Sequence, residues 1–179
     1  MPESTARTSD EISIYREGVV KLFELGVNSD IQNSFPEHAA VLYEQFFMNA
    51  RSQVRIFCKN LSARVFGLDF VVQAADKALK NGVRIEILIQ DERPEESPFL
   101  ALVEACPSAV IATVNSETAK AAKVNFSVMD NRAFRFENDR DRVTAVANMC
   151  EPVIAGSLVR KFEELQLKST SFRGMVAHG

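Results

Sequence analysis

Lys123-Val124-Asn125-Phe126-Ser127-Val128-Met129-Asp130 reads as a strand that runs into a turn. Asp130-Asn131 at its end is ordinary turn chemistry, because these short side chains bond nearby backbone. A hairpin arm follows, Ala133-Phe134-Arg135-Phe136-Glu137, and then a second apolar run from Val143 to Asn148. Upstream, Val54 to Cys58, Val83 to Gln90 and Ala109 to Val114 read as further strands. Helical segments separate them. Pro36 opens one that places Ala40, Tyr43, Phe46, Phe47 and Ala50 at helical spacing. Leu68 to Lys80 is a helix closed by Asn81-Gly82, and a shorter one covers Pro98 to Cys106. Glu117 to Ala122 reads as a helical turn, and Pro152 starts the last long helix, which runs to about Lys168. Strands alternating with helices imply an α/β fold: a mixed, mostly parallel sheet sandwiched between helices, with antiparallel pairing added by the Phe134 hairpin.

Residues 1–9 read as a disordered tail, 10–34 as an N-terminal helix and polar loop, 35–168 as the α/β domain and 169–179 as a flexible C-terminal tail. The helix from Asp10 to Leu25 carries Ile12, Tyr15, Val19, Leu22 and Phe23 on one stripe, which something must cover. Either it packs on its own domain, the reading preferred here, or it docks a protein partner.

The net charge of −3 argues against the whole chain acting as an electrostatic attractor for nucleic acid, although a local basic patch is compatible with it. No apolar run approaches the ~20 residues that span a bilayer. Cys58, Cys106 and Cys150 are odd in number and scattered, which argues against a disulfide framework and against a metal site. The expectation is a cytoplasmic protein with reduced thiols and no cofactor.

The order of elements around residues 123–148 resembles the core of the phospholipase D superfamily, whose signature is His-x-Lys-x4-Asp with a downstream Asn. The resemblance runs from about Ala40 to Lys168. It places Asp130 on the family Asp and Asn148 on the Asn, with Lys123 at the His position and Asn125 at the Lys position. The two histidines of the chain, His38 and His178, are followed by Ala and Gly and begin no His-x-Lys. His38 reads as a helix-surface residue. A protonated Lys123, with a reference pKa of about 10.4, is neither a nucleophile nor a proton donor at neutral pH. Losing such a nucleophile typically costs on the order of 10⁶ in rate. The resemblance therefore implies a catalytically inactive relative. It also implies a homodimer, with the 123–130 strand near the two-fold axis.

Among other polar residues, Lys59, Lys123 and Arg135 are candidates for an anion-binding patch, and Lys123 reads equally as a solvent-facing strand lysine. Arg132, Arg135, Arg140 and Arg142 interleave with Asp139 and Asp141, which reads as a solvated, mutually neutralising loop. Asp130 reads as a structural turn residue and Asn148 as a backbone-bonding one. Nothing places Glu86 and Glu137 on one face. Three functions follow: an inactive phospholipase D-like module that dimerises and binds a partner or ligand in a regulatory or assembly role, within a bacterial multi-component system; a phosphodiesterase with altered catalytic groups, with Ser127 and Cys150 the nearest nucleophiles; or a protein that binds nucleic acid by backbone shape.

Overall fold

The computed structural model describes residues 9–91, 94, 96–115, 117, 121–139 and 144–171. Its helices are α1 (Ser9–Leu25), α2 (Pro36–Asn49), α3 (Ala63–Phe66), α4 (Asp69–Lys80), α5 (Pro98–Ala105) and α6 (Pro152–Gln166). Its strands are β1 (Asp30–Asn33), β2 (Gln53–Cys58), β3 (Arg84–Ile89), β4 (Ala109–Val114), β5 (Asn125–Met129), β6 (Ala133–Glu137), β7 (Ala145–Asn148) and β8 (Ser169–Ser171).

One eight-stranded sheet holds them in the order β1-β7-β6-β5-β2-β3-β4-β8. The fold class is as expected, a mixed sheet between helices. The balance within it shifts, because among the described residues only β2·β3 and β3·β4 pair in parallel. The other five pairings are antiparallel. The parallel trio is joined through α4 and α5, as short parallel strands require.

Two of the antiparallel strands lie at the edges, where the sequence reads as loop or tail. β1, Asp-Ile-Gln-Asn, has too little apolar content to announce a strand, yet it pairs with β7 from Asp30↔Asn148 to Asn33↔Ala145. Of the expected loose C-terminal tail, Ser169–Ser171 instead form β8 against Ala112–Val114. The rest of that tail, and residues 1–8 of the expected N-terminal one, lie outside the described residues. So do Arg140, Arg142, His178 and residues 118–120 of the helical turn expected at 117–122.

The two faces are buried unequally. α2, α4 and α5 cover one face, where Val41, Leu42, Phe46, Phe47 and Phe99 meet Ile56, Ile85, Ile87 and Met129. α6 covers the other, laying Ala155, Val159, Phe162 and Leu165 on Phe57, Leu88, Phe126 and Val128, with Ala122 and Val124 packed beside them. Each fully buried large side chain of this kind contributes about 1.5–3 kcal/mol. α1 lies on α2, as its stripe predicts: Val19 and Phe23 are buried, and Phe23 meets Phe46 edge-on at 6.2 Å. Arg16 pins it further, pairing with Glu44 at 2.7 Å and lying over the Phe70 ring at 4.8 Å.

Between β5 and β6 the chain turns through Asp130, Asn131 and Arg132. Asp130 and Asn131 have φ of 49° and 56°, the left-handed region these two residue types tolerate best. Among the described residues no helix is long and apolar enough to cross a membrane.

Candidate functional site

The alternation of β2, β5 and β6 sorts the side chains beneath the start of α2. Asn125 lies opposite Glu137, and Ser127 opposite both Arg135 and Ile56, so all of these share the α2 face. Above them Tyr43 reaches down from α2. Its hydroxyl shares a 2.7 Å hydrogen bond with Ser127 Oγ, and the Arg135 guanidinium stands 5.8 Å from its ring. A cleft of about 210 Å³ opens here, lined by Tyr43, Cys58, Lys59, Arg64, Asn125, Arg135 and Glu137 among others.

The floor of the cleft is charged but internally neutralised. Arg135 is 3% exposed and Glu137 7%, and they form an ion pair through Arg135 Nη2 and Glu137 Oε1. Asn125 Nδ2 donates to the other oxygen of Glu137. Asn125 Oδ1 accepts the Lys59 amide at 2.9 Å. The Lys59 and Arg64 side chains add positive charge to the lining.

The Tyr43 hydroxyl and the Cys58 thiol are both shifted away from their ionised forms. Burial pushes the Tyr43 hydroxyl up to about 12, although Arg135 pulls it partly back. Burial likewise pushes the Cys58 thiol far up, with Glu137 adding to the effect. Ser127 is fully buried and bonded to Tyr43. Among the described residues no cluster of three or more His, Cys, Asp or Glu side chains is placed to hold a metal. The lining thus sets two cationic residues, Lys59 and Arg64, beside a floor whose own charges are paired.

The model of a domain of unknown function, DUF7931, matches residues 35–173. The chain belongs to the DUF7931 family. No protein of curated function matches it. Among solved structures, the DUF7931 chain is similar to Nuc from Salmonella typhimurium, a phospholipase D family member, with a TM-score of 0.61 and 16% identity over 82% of this chain and 99% of that one. NucT from Helicobacter pylori gives a TM-score of 0.61 and 11% identity, again over 82% and 99%. TrmBL2, an archaeal chromatin protein with a novel mode of DNA binding, gives 0.59 and 14% over 89% of this chain and 63% of that one. At these identities the likeness is one of fold: the DUF7931 domain is phospholipase D-like.

The four motif positions do not converge in this DUF7931 chain. Asn125 lines the cleft. Lys123 is exposed and lines a separate depression against α6, with Lys161, Glu164 and Lys168. Of the three anion candidates, then, Lys59 and Arg135 share the cleft and Lys123 does not. Asp130 sits at the opposite end of β5. There it accepts the amides of Arg51 at 2.6 Å and of Ser52 and Gln53 at 2.9 Å, and also the Ser52 hydroxyl at 2.9 Å. Partial burial alone would raise its pKa. The amides of Arg51, Gln53 and Ser52, with the Ser52 hydroxyl, outweigh that and hold it below the usual carboxylate range.

Asn148 is also at the turn end, because β7 sets it opposite Phe134. It donates to Asn28 and Asp30 at 2.8 Å and accepts the Cys150 amide at 2.9 Å. Its bonding to backbone is as expected; its place away from the cleft is not.

Three further readings change or hold. Arg135 is a buried, paired floor residue rather than part of a solvated loop. Arg132 bends back to the Asn49 carbonyl at 3.5 Å and stands 5.9 Å from the Phe23 ring. His38 is half-buried and stacked on Tyr15, with centroids 3.9 Å apart and planes at 7°, rather than lying on the helix surface. Glu86 is on the α6 side, paired with Arg55 at 3.4 Å, and does not meet Glu137. Sequence reading missed the Arg135–Glu137 pair and Tyr43. The signal for the pair was present: Arg135 and Glu137 are two apart in an alternating strand, which puts them on one face.

Proposed function

We propose that this protein is a catalytically inactive phospholipase D-like module that acts by binding, as a homodimer in a regulatory or assembly role. The observation that supports it best is the cleft floor. Arg135 and Asn125 both bond to Glu137, and no histidine among the described residues lines the cleft. A phosphoryl-transfer site needs a nucleophile and a proton donor active near neutral pH, and the raised Tyr43 and Cys58 supply neither.

Purified protein incubated with bis-nitrophenyl phosphate, and with single-stranded DNA and RNA, is expected to show no turnover. Turnover abolished by Asn125→Ala or Glu137→Ala overturns the reading in favour of altered catalytic groups. Light scattering at tens of micromolar is expected to give a dimer, and a monomer there removes the dimeric part. Because the stripe of α1 is spent on α2, a protein partner that uses this helix would meet its other side, where Ile14 is exposed.

A second reading, sequence-independent nucleic-acid binding, is favoured by one observation: Lys59 and Arg64 line the mouth of the same cleft, in a fold shared with a DNA-binding chromatin protein. It predicts DNA or RNA affinity that falls steeply with salt. Affinity that ignores salt returns the argument to a compact anion or a protein.

A further inference from the structure

The end of the molecule opposite the cleft meets solvent with apolar side chains. Tyr15 lies against His38 and Phe23 against Phe46, the same offset of 23 residues, so α1 and α2 run side by side in one direction. That offset brings Leu25, at the end of α1, level with Met48, near the end of α2. Just beyond Leu25, Asn28 Nδ2 donates to Glu151 at 2.6 Å, and Glu151 in turn accepts the Val153 amide at 3.1 Å. Val27 is thereby set beside Val153 and Ile154, at the start of α6. Of the seven large apolar side chains exposed among the described residues, these five lie together, at 43–75% exposure. They form a strip across all three layers. Leu25 and Met48 stand on one side of the sheet, Val27 at its end, and Val153 and Ile154 on the other side. With layers ~10 Å apart, the strip is about 20 Å long. Scattered exposure is ordinary, but a contiguous apolar strip marks an interaction surface.

The charges beside the strip select what covers it. Lys21 and Arg51 are exposed there, and so are Glu24 and Asp30. An anionic lipid surface calls for cations alone, and a strongly charged peptide for a single sign. A rim that carries both signs complements itself across a two-fold axis, as an isologous interface requires. The strip also fits within the footprint of a standard interface, roughly 800 Å² a side. We propose that this end of the molecule is the two-fold face, covered in solution by the same face of a second copy. The inference rests on the homodimer proposed above and gives it a location. Of the 123–130 strand, only the Asp130 end lies there, where Asp130 holds the Arg51 amide and Arg132 the Glu151 amide. The two clefts then open away from the axis, and each takes its own ligand.

Sedimentation of the full chain at tens of micromolar checks this. Leu25→Lys/Met48→Lys places cations at two helix C-termini, and Val153→Glu places an anion at a helix N-terminus, so each change suits the helix it joins. Each variant is expected to raise the dimer dissociation constant about a hundredfold or more. Leu167→Lys alters an exposed leucine at the other end of α6 and is expected to leave the dimer intact. A dimer that survives both strip variants, or that Leu167→Lys disrupts as strongly, overturns the location and leaves the homodimer standing. An unsubstituted chain that sediments as a monomer removes the homodimer itself, and this face with it. If that monomer pellets with phosphatidylglycerol vesicles and Val153→Glu does not, the strip meets lipid instead.

Discussion

Glu137 and Asp130 are both carboxylates on the β5–β6 hairpin, and they do opposite things. Glu137 is buried and holds a buried cation. Removing its charge with Glu137→Gln leaves the Arg135 guanidinium without its counter-charge and is expected to cost about 3–5 kcal/mol. The double variant Arg135→Met/Glu137→Leu removes both charges and is expected to cost far less. Chemical denaturation of the single and double variants checks this, and equal losses would show that the pair carries no special weight. Asp130 instead satisfies backbone amides at the far end of the strand. Its pKa is lowered in the folded state, so its contribution is complete at neutral pH and is lost as pH falls below its unfolded value of about 3.9 and through its lower folded one. Asp130→Asn is expected to lose about 1.5–3 kcal/mol at pH 7. The gap to the unsubstituted protein should close on acidification, measured as Tm against pH.

At the scale of elements, α1 is the clearest test of what a stripe of apolar residues means. Phe23 fills a space against Phe46, and Arg132 lies over its other side. Phe23→Ala is expected to cost about 3 kcal/mol and to lower Tm by about 6–12 °C; a change of a degree or less would mean that α1 is only loosely held. This helix, with α2, β4 and β6, was legible because period and punctuation agree in each: Pro36 at a helix start, and Ala133-Phe-Arg-Phe-Glu137 alternating between turns. β1 and β8 were not. They are short and polar, and they are strands only because β7 and β4 present open edges to them. The site divides in the same way. Residue type revealed the missing histidine and the turn role of Asp130. The cleft itself depends on cross-strand neighbours, which a linear motif does not encode, so Asn125 stayed with the cleft while Lys123 and Asn148 did not.

For the molecule as a whole, both sheet edges are closed by short strands that carry little core of their own. Truncation after Lys168 removes β8 and bares the Ala112–Val114 edge, whose backbone can then recruit another chain. The expected result is concentration-dependent light scattering under conditions where the full chain stays clear; equal clarity would show that β8 is dispensable. The other edge carries a consequence in time. Asp30 and Asn148, joined side chain to side chain, are 118 residues apart. At a translation rate of 5–20 residues per second, β1 waits roughly 6–24 s for the strand that will receive it. During that interval β1 has no partner strand, and its backbone groups must bond to water or to another chain until β7 emerges.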